Sequence, residues 1–149
     1  MTNHERTAKW LEACGKKNGN EKDLSVQIGV NIEEYCELLE CIDISNPLEF
    51  RALTAAIDNL RAVSMRIKKG WVTASIPEDK RIDAIDAICD TEVTGNGIAY
   101  LAGFDKVTAD KLVLDSNDDK LVDGKPVILP GGKIGKREGW TPPDLRGCV

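Results

Sequence analysis

The chain has 149 residues, a formal net charge of −5 and five cysteines, Cys14, Cys36, Cys41, Cys89 and Cys148. That length reads as a single domain (1–149) with room for a hydrophobic core, and an acidic chain without a plainly basic face is a poor general nucleic-acid binder. The sequence reads without a signal peptide or membrane-spanning run, and an odd cysteine count with no C-x-x-C pair, beside the lone His4, points to reduced thiols in a cytoplasmic protein rather than to zinc.

In chain order, Thr2 or Asn3 is placed to cap a first helix from about His4 to Lys16, with Trp10, Leu11 and Cys14 as its apolar contacts. Gly15 to Asn20 reads as a loop, because glycine and asparagine tolerate positive φ. A second helix runs from about Leu24 to Ile42, with Asp23 as its expected cap. At ~100° per residue, Ile28, Ile32, Tyr35, Leu39 and Ile42 share one face, the expected core stripe. Glu33 and Glu40 lie roughly opposite and read as solvated. Glu34 falls among Gln27, Val30, Leu38 and Cys41, with Glu37 at the border, so this charge sits in a mostly apolar stripe. A carboxylate buried there needs a proton, a basic partner or a cation. The plain alternative is a solvated acidic face that touches a few apolar residues.

Asn46-Pro47 opens the next helix, from about Leu48 to Lys69. Phe50, Leu53, Ile57, Leu60, Ser64 and Ile67 recur at spacings of three and four, the pattern of a bundle seam. After Gly70 and a short link, Ser75 and Glu78 have capping-box spacing for a fourth helix, from about Glu78 to Ala102. There Asp83, Asp86 and Asp90 project within one narrow arc that continues as Thr94, Gly97 and Leu101. Like charges one turn apart repel, so three aspartates on one arc are more informative than three scattered ones. The alternative is again a negatively charged surface face.

Asp105 is placed to cap a fifth helix that ends between Leu114 and Asn117. Beyond Lys120 the turn signals Asp123-Gly124 and Pro130-Gly131-Gly132 flank Val127-Ile128-Leu129, and Pro142-Pro143 blocks helix. This arm, 120–149, carries Lys120, Lys125, Lys133, Lys136 and Arg137. Gly131 to Arg137 lacks the spacing and the Ser/Thr of a P-loop. The arm reads either as a partly ordered segment packing on a neighbouring subunit or as a basic flap over phosphates. The fold class is therefore all-α: an antiparallel bundle of about five helices with an irregular or hairpin-like C-terminal arm.

Two acidic helices in one bundle call for a shared explanation. Hard cations such as Mg²⁺ take a few carboxylates, waters and substrate phosphates, and bundles build such sites from facing helices. Glu34 and Glu37 of one helix are placed to converge with Asp86 and Asp90 of another, with the bases of the arm facing phosphates. Without a usable histidine, water activated by a metal is the most economical nucleophile.

Glu33-Glu34-Tyr35-Cys36-Glu37 resembles the E-E-x-x-E element of the MazG-like, all-α nucleoside triphosphate pyrophosphohydrolases. The second half is similar to phage-encoded, phosphoribosyl-ATP-pyrophosphohydrolase-like members. It matches in order at Asp86-Ala87-Ile88-Cys89-Asp90, Gly97, Gly103 and Asp105, then Ser116-Asn117 and Lys120. It continues through Asp123-Gly124-Lys125-Pro126, Gly132-Lys133 and Lys136 to Trp140-Thr141-Pro142-Pro143-Asp144-Leu145. The resemblance spans roughly Leu24 to Leu145.

It implies a homodimer or homotetramer, Mg²⁺ or Mn²⁺ on the carboxylates, and cleavage of a nucleotide's α–β phosphoanhydride to a monophosphate and pyrophosphate. Glu34, Glu37 and Asp90 match metal ligands, and Asn117 and Lys120 match a substrate-contacting stretch. Ala87 stands where the family has Glu three residues before Asp90; Asp86 is one residue earlier, and Asp83 with Asp86 offers an alternative D-x-x-D pair. Asp118 and Asp119 stand where small or apolar residues are usual. On this reading Glu33 or Glu37 orients the attacking water, and Lys133 and Lys136 hold the outgoing pyrophosphate. Two rivals remain: a non-catalytic protein that sequesters a signalling nucleotide in the same pocket, and a purely structural helical oligomer.

Overall fold

A computed structural model of the chain describes residues 1–129 and 134–149. Among them are five helices, α1 (Asn3–Ala13), α2 (Glu21–Glu40), α3 (Pro47–Lys68), α4 (Arg81–Ala102) and α5 (Lys106–Asp118), and one minimal hairpin, β1 (Leu121–Val122) with β2 (Lys125–Pro126). The protein is all-α, as its periodicities predict. No helix among the described residues is long and apolar enough to cross a membrane. The chain forms two compact units: 18–78, and 1–17 together with 79–149.

The first unit is the α2–α3 hairpin. Asn20, not Asp23, caps α2, its side-chain oxygen accepting from the Asp23 amide at 2.9 Å. Gly19, at φ +78°, turns the chain into that position. Asp23 then lies in the first turn, where its charge suits the helix dipole. Asn46 caps α3 through the Leu48 amide, with Pro47 in the first helical position where its missing N–H costs nothing.

The two helices run antiparallel along a seam of small residues. Ser25, Gly29 and Cys36 of α2 are buried against Ile57, Ser64 and Ile67 of α3. The Ser64 hydroxyl donates to the Gly29 carbonyl at 2.7 Å, and the Cys36 thiol faces the Ile57 carbonyl at 3.9 Å. This corrects the expected core stripe. Ile28, Ile32 and Leu39 are only half-buried, and Tyr35 and Ile42 are exposed. Small side chains let the backbones approach closely, and that approach turns α2 away from its bulkier face. On α3, Leu53, Ile57, Ser64 and Ile67 lie on the seam as expected, while Phe50 and Leu60 are exposed.

In the second unit, α4 begins later than the capping-box spacing suggests. Residues Glu78–Lys80 form a 3-10 turn, and the α-helix starts at Arg81 without a side-chain cap. A cap at Ser75 would make Ile76 the first helical residue, and a residue before proline is disfavoured there. Gly103, at φ +78°, ends α4, and Asp105 caps α5 through the Thr108 amide at 3.0 Å and its hydroxyl at 2.6 Å. The Asp105 amide in turn donates to the carbonyl of the buried Cys148 at 2.9 Å, tying the C-terminal turn Arg146–Cys148 to the start of α5. Asp123 and Gly124, both at positive φ, close the β1–β2 hairpin, the backbone that a two-residue Asp-Gly loop favours.

Packing of α1 on α5 is largely polar. The Arg6 guanidinium donates to Asp115 and Asp118, and the Trp10 indole donates to the Asn117 carbonyl at 2.8 Å. Lys111 and then Arg6 hold the Asp115 carboxyl below its ordinary range.

Candidate functional site

The four glutamates in the second half of α2 divide into two sets. Glu33 and Glu40, expected to be solvated, flank the seam and pair with cations of α3: Glu33 with Lys68, and Glu40 with the two-pronged guanidinium of Arg61. Glu34, expected to be buried, is exposed, as is Glu37. The reason is the same rotation of α2. Glu34 lies roughly 150° round the helix from Gly29 and Cys36, on the side away from α3. Leu38 at 42% exposure, Cys41 and Glu37 accompany it, so the mixed apolar and acidic stripe forms one open face.

On α4, Asp83, Asp86 and Asp90 are all exposed, and Asp83 lies 3.6 Å from the Lys80 ammonium. Glu34 and Glu37 belong to one compact unit, Asp86 and Asp90 to the other. Among the described residues no three His, Cys, Asp or Glu side chains come together as a metal-holding group. Within each unit the carboxylates are instead paired one turn apart, Glu34 with Glu37 and Asp86 with Asp90, at spacings that make them neighbours on the helix surface. Such pairs do not fit an all-protein cage. They do fit Mg²⁺, which takes one or two carboxylates and completes its octahedron with water and phosphate oxygens.

The predicted substrate residues are brought together more clearly. Asn117 stands in the last turn of α5, and its side-chain oxygen accepts from the Lys120 ammonium at 2.7 Å. The Trp140 indole donates to the Ser116 carbonyl at 2.9 Å. Over the same ring lie the ammonium groups of Lys136, 4.2 Å from the centroid, and Lys120, at 5.4 Å. Lys120 and Lys136 therefore share one aromatic centre, and Asn117 joins it only through its hydrogen bond with Lys120. Lys133, the fourth residue of this set, lies outside the described residues.

From Arg137 onward the arm is anchored to α5 of its own chain. The final-turn carbonyls of a helix have no partner within it, and side chains supply several: Trp140 for Ser116, Trp10 for Asn117, and Arg137 for Asp119 at 2.7 Å. Arg137 also grips the Asp119 carboxylate with its second nitrogen, and Arg6 takes Asp118. Asp118 and Asp119 are thus each matched by an arginine. Neither stands as an unbalanced negative charge beside the lysines.

Comparison with family models, curated proteins and solved structures finds no match to this chain. The functional reading rests on its own residues.

Trp140 is the residue of this cluster that sequence reasoning left unassigned. Its indole N–H needs a partner when half-buried, and a tryptophan four residues after Lys136 is the signal that could have placed it.

Proposed function

We propose that this protein is a metal-dependent nucleotide pyrophosphohydrolase that cleaves the α–β phosphoanhydride of a nucleoside triphosphate or related nucleotide, giving a monophosphate and pyrophosphate. The observation that carries the reading is the gathering of Lys120 and Lys136 round Trp140, with Asn117 bonded to Lys120 and the neighbouring acids paired off. A cluster of that charge is suited to phosphate oxygens. The exposed carboxylate pairs are the second support, since a polyphosphate and Mg²⁺ bring each other to such acids.

In this proposal the pair Glu34 and Glu37 and the pair Asp86 and Asp90 each offer carboxylates to a metal ion. The cation would neutralise the phosphates and make water a better nucleophile at neutral pH. Glu37 is preferred over Glu33 as the group that orients water and takes its proton, because Glu33 is engaged by Lys68. The water oxygen bonds to phosphorus, the bridging P–O bond breaks, and the outgoing phosphate oxygens stay against Lys136 and Lys120. Holding those oxygens as charge builds on them favours the transition state over the bound substrate. The working form would be a homodimer or homotetramer, supported by the apolar residues that a single chain leaves exposed on α4.

A second reading, a non-catalytic protein that sequesters a nucleotide, is favoured by one observation. The basic cluster is assembled in one chain, whereas no group of three carboxylates is, among the described residues. A panel of nucleotides incubated with the protein and Mg²⁺, with pyrophosphate and monophosphate separated afterwards, divides the two. Pyrophosphate release that Glu34→Gln abolishes supports the hydrolase. Tight nucleotide binding without release overturns it in favour of sequestration.

A further inference from the structure

We infer that one side of the α2–α3 hairpin is the docking surface for the same side of a second copy of this chain, each α2 lying against the partner's α3 in an all-antiparallel four-helix arrangement. This surface is separate from α4 and from the carboxylates and lysines of the proposed site, and its pairing needs no hydrolase activity.

The seam between α2 and α3 is narrow. Its buried members are Ser25, Gly29, Cys36, Ile57, Ser64 and Ile67, of which only the two isoleucines are large and apolar. A unit as short as 18–78 needs more core than that to hold together. The bulkier residues lie beside the seam. On α2, Ile28, Ile32, Tyr35, Leu39 and Ile42 are centred roughly 80° round the helix from Ser25, Gly29 and Cys36. On α3, Leu53, Ala56, Leu60 and Val63 are offset by a similar angle from Ile57 and Ser64. Both offsets have the same hand, and two antiparallel helices put offsets of one hand on the same side. The hairpin therefore carries one continuous apolar face across both helices. It is open to solvent: Tyr35, Ile42, Leu60 and Val63 are each between 37% and 39% exposed.

Charge selects the occupant. The charged residues of α2 beyond Leu24 and of α3 beyond Leu53 all fall outside this face, so two copies can meet on it without burying a charge. The helices that carry the face are opposite in sign: α2 holds six acids and one lysine, α3 four bases and two acids. A two-fold axis along the helices sets each α2 on the partner's α3 and keeps the two acidic helices on the diagonal. An axis across the helices would set α2 on α2 at about 8–10 Å, within one Debye length at 0.1 M salt. The first arrangement is self-complementary in both apolar surface and charge, as a two-fold interface requires. Glu34 and Glu37 lie about 120° and 180° round α2 from the centre of the face, so docking and the carboxylate pair use different sides of the helix.

An axis along the helices preserves height, which fixes the register. Gly29 packs against Ile67 across the seam, so Tyr35, six residues on in α2, is nearly level with Leu60, seven residues back in α3. Tyr35 of one copy should therefore meet Leu60 of the other.

The test is disulfide trapping between two full-length chains, one carrying Tyr35→Cys and the other Leu60→Cys, both with the exposed Cys41 and Cys89 changed to serine. The chains are mixed, oxidised mildly and read by non-reducing gel and mass spectrometry of the linked peptides. Expected is a mixed product, Tyr35→Cys joined to Leu60→Cys, in several-fold excess over either chain joined to itself. A predominance of Tyr35→Cys joined to itself would mean that α2 meets α2, and overturns the arrangement. No cross-linked product would mean that something other than a second copy covers the face, and overturns the proposal. Tyr35→Glu with Leu60→Glu should halve the mass seen by light scattering while helix content is kept; an unchanged mass in that folded variant also overturns it. If the double variant unfolds, the trapping result decides alone.

Discussion

The Ser64 hydroxyl donates to the Gly29 carbonyl at 2.7 Å, inside the seam where α3 leans on α2. A methyl group at Gly29 would stand 3.0 Å from both the Ile67 Cγ2 and the Lys68 Cγ atoms. Gly29 is thus present for close approach, and the hydrogen bond is available because of it. Gly29→Val should destabilise the protein by about 1–3 kcal/mol through overpacking. Denaturant unfolding checks this as a lower midpoint at unchanged slope. The expectation fails if the variant is as stable as the parent.

Substitutions along α2 should separate catalysis from packing. Glu34→Gln and Glu37→Gln leave the seam untouched, so both variants should fold like the parent and lose pyrophosphate release. Glu40→Gln breaks an exposed pair with Arg61 that lies outside the proposed machinery, and its activity should match the parent's. Glu33→Gln loosens Lys68 and should shift stability more than turnover. Circular dichroism and product assays on the four variants decide it, and full activity in Glu34→Gln would remove that residue from the site.

How far these features were legible in the sequence depends on what sets them. Helix existence and the Asp123-Gly124 turn are local matters, decided by periodicity, proline and glycine, and they were readable. The rotation of α2 was not. Its apolar count favours the Ile28–Ile42 face, but contact between two helices rewards small residues that permit close backbones, and only the partner reveals which face is used. Glu40 is exposed as expected, though paired with Arg61, whereas Glu33 is half-buried against Lys68 and Glu34 is exposed where burial was expected. The basic cluster was legible as a set of lysines, yet Trp140 as its centre depends on contacts spanning α5 and the arm, which spacing does not encode.

The cysteines give a direct check on the burial pattern. Cys14, Cys36 and Cys148 are buried, while Cys41 and Cys89 are exposed. Burial pushes the Cys14 thiol up in pKa, more than the nearby Lys16 and Lys120 lower it, so it stays protonated at neutral pH. A thiol reagent should therefore label Cys41 and Cys89 quickly in the native protein and the other three only after denaturation. Mass spectrometry of the labelled peptides reads this out. Rapid native labelling of Cys36 would mean that the α2–α3 seam opens readily.

Acid below about pH 4 should weaken the junction of α1 with α5. Asp115 is held below its ordinary range by Lys111 and Arg6, and Asp105 by the Thr108 hydroxyl and amide. A depressed carboxyl stabilises the fold fully above the unfolded value of about 3.9. That contribution falls away as pH drops below it and through the lower folded value. Native Trp10 fluorescence should thus hold steady down to about pH 4 and change below it. Asp115→Asn should be less stable at neutral pH and lose stability less steeply in acid. An acid limb identical to the parent's would assign the transition to other carboxyls.

Self-association is the remaining expectation, and α4 supplies the reason. Its apolar side chains lie on both sides of the aspartate arc, yet Ala99 is its single buried residue. Ile82, Tyr100 and Leu101 are more than four-fifths exposed, and Ile85, Ile88 and Val93 more than half. Leaving several large side chains in water forgoes roughly 1.5–3 kcal/mol for each one that could be fully buried. A second copy supplies the same apolar residues in symmetric form, the self-complementary arrangement of a two-fold interface. Light scattering at micromolar concentration should give at least a dimer. Ile85→Asp with Val93→Asp, which add charge to the exposed surface of α4 without disturbing α2–α3, should shift the mass toward a monomer while helix content stays constant. A monomer mass for the parent protein at that concentration would contradict the expectation outright.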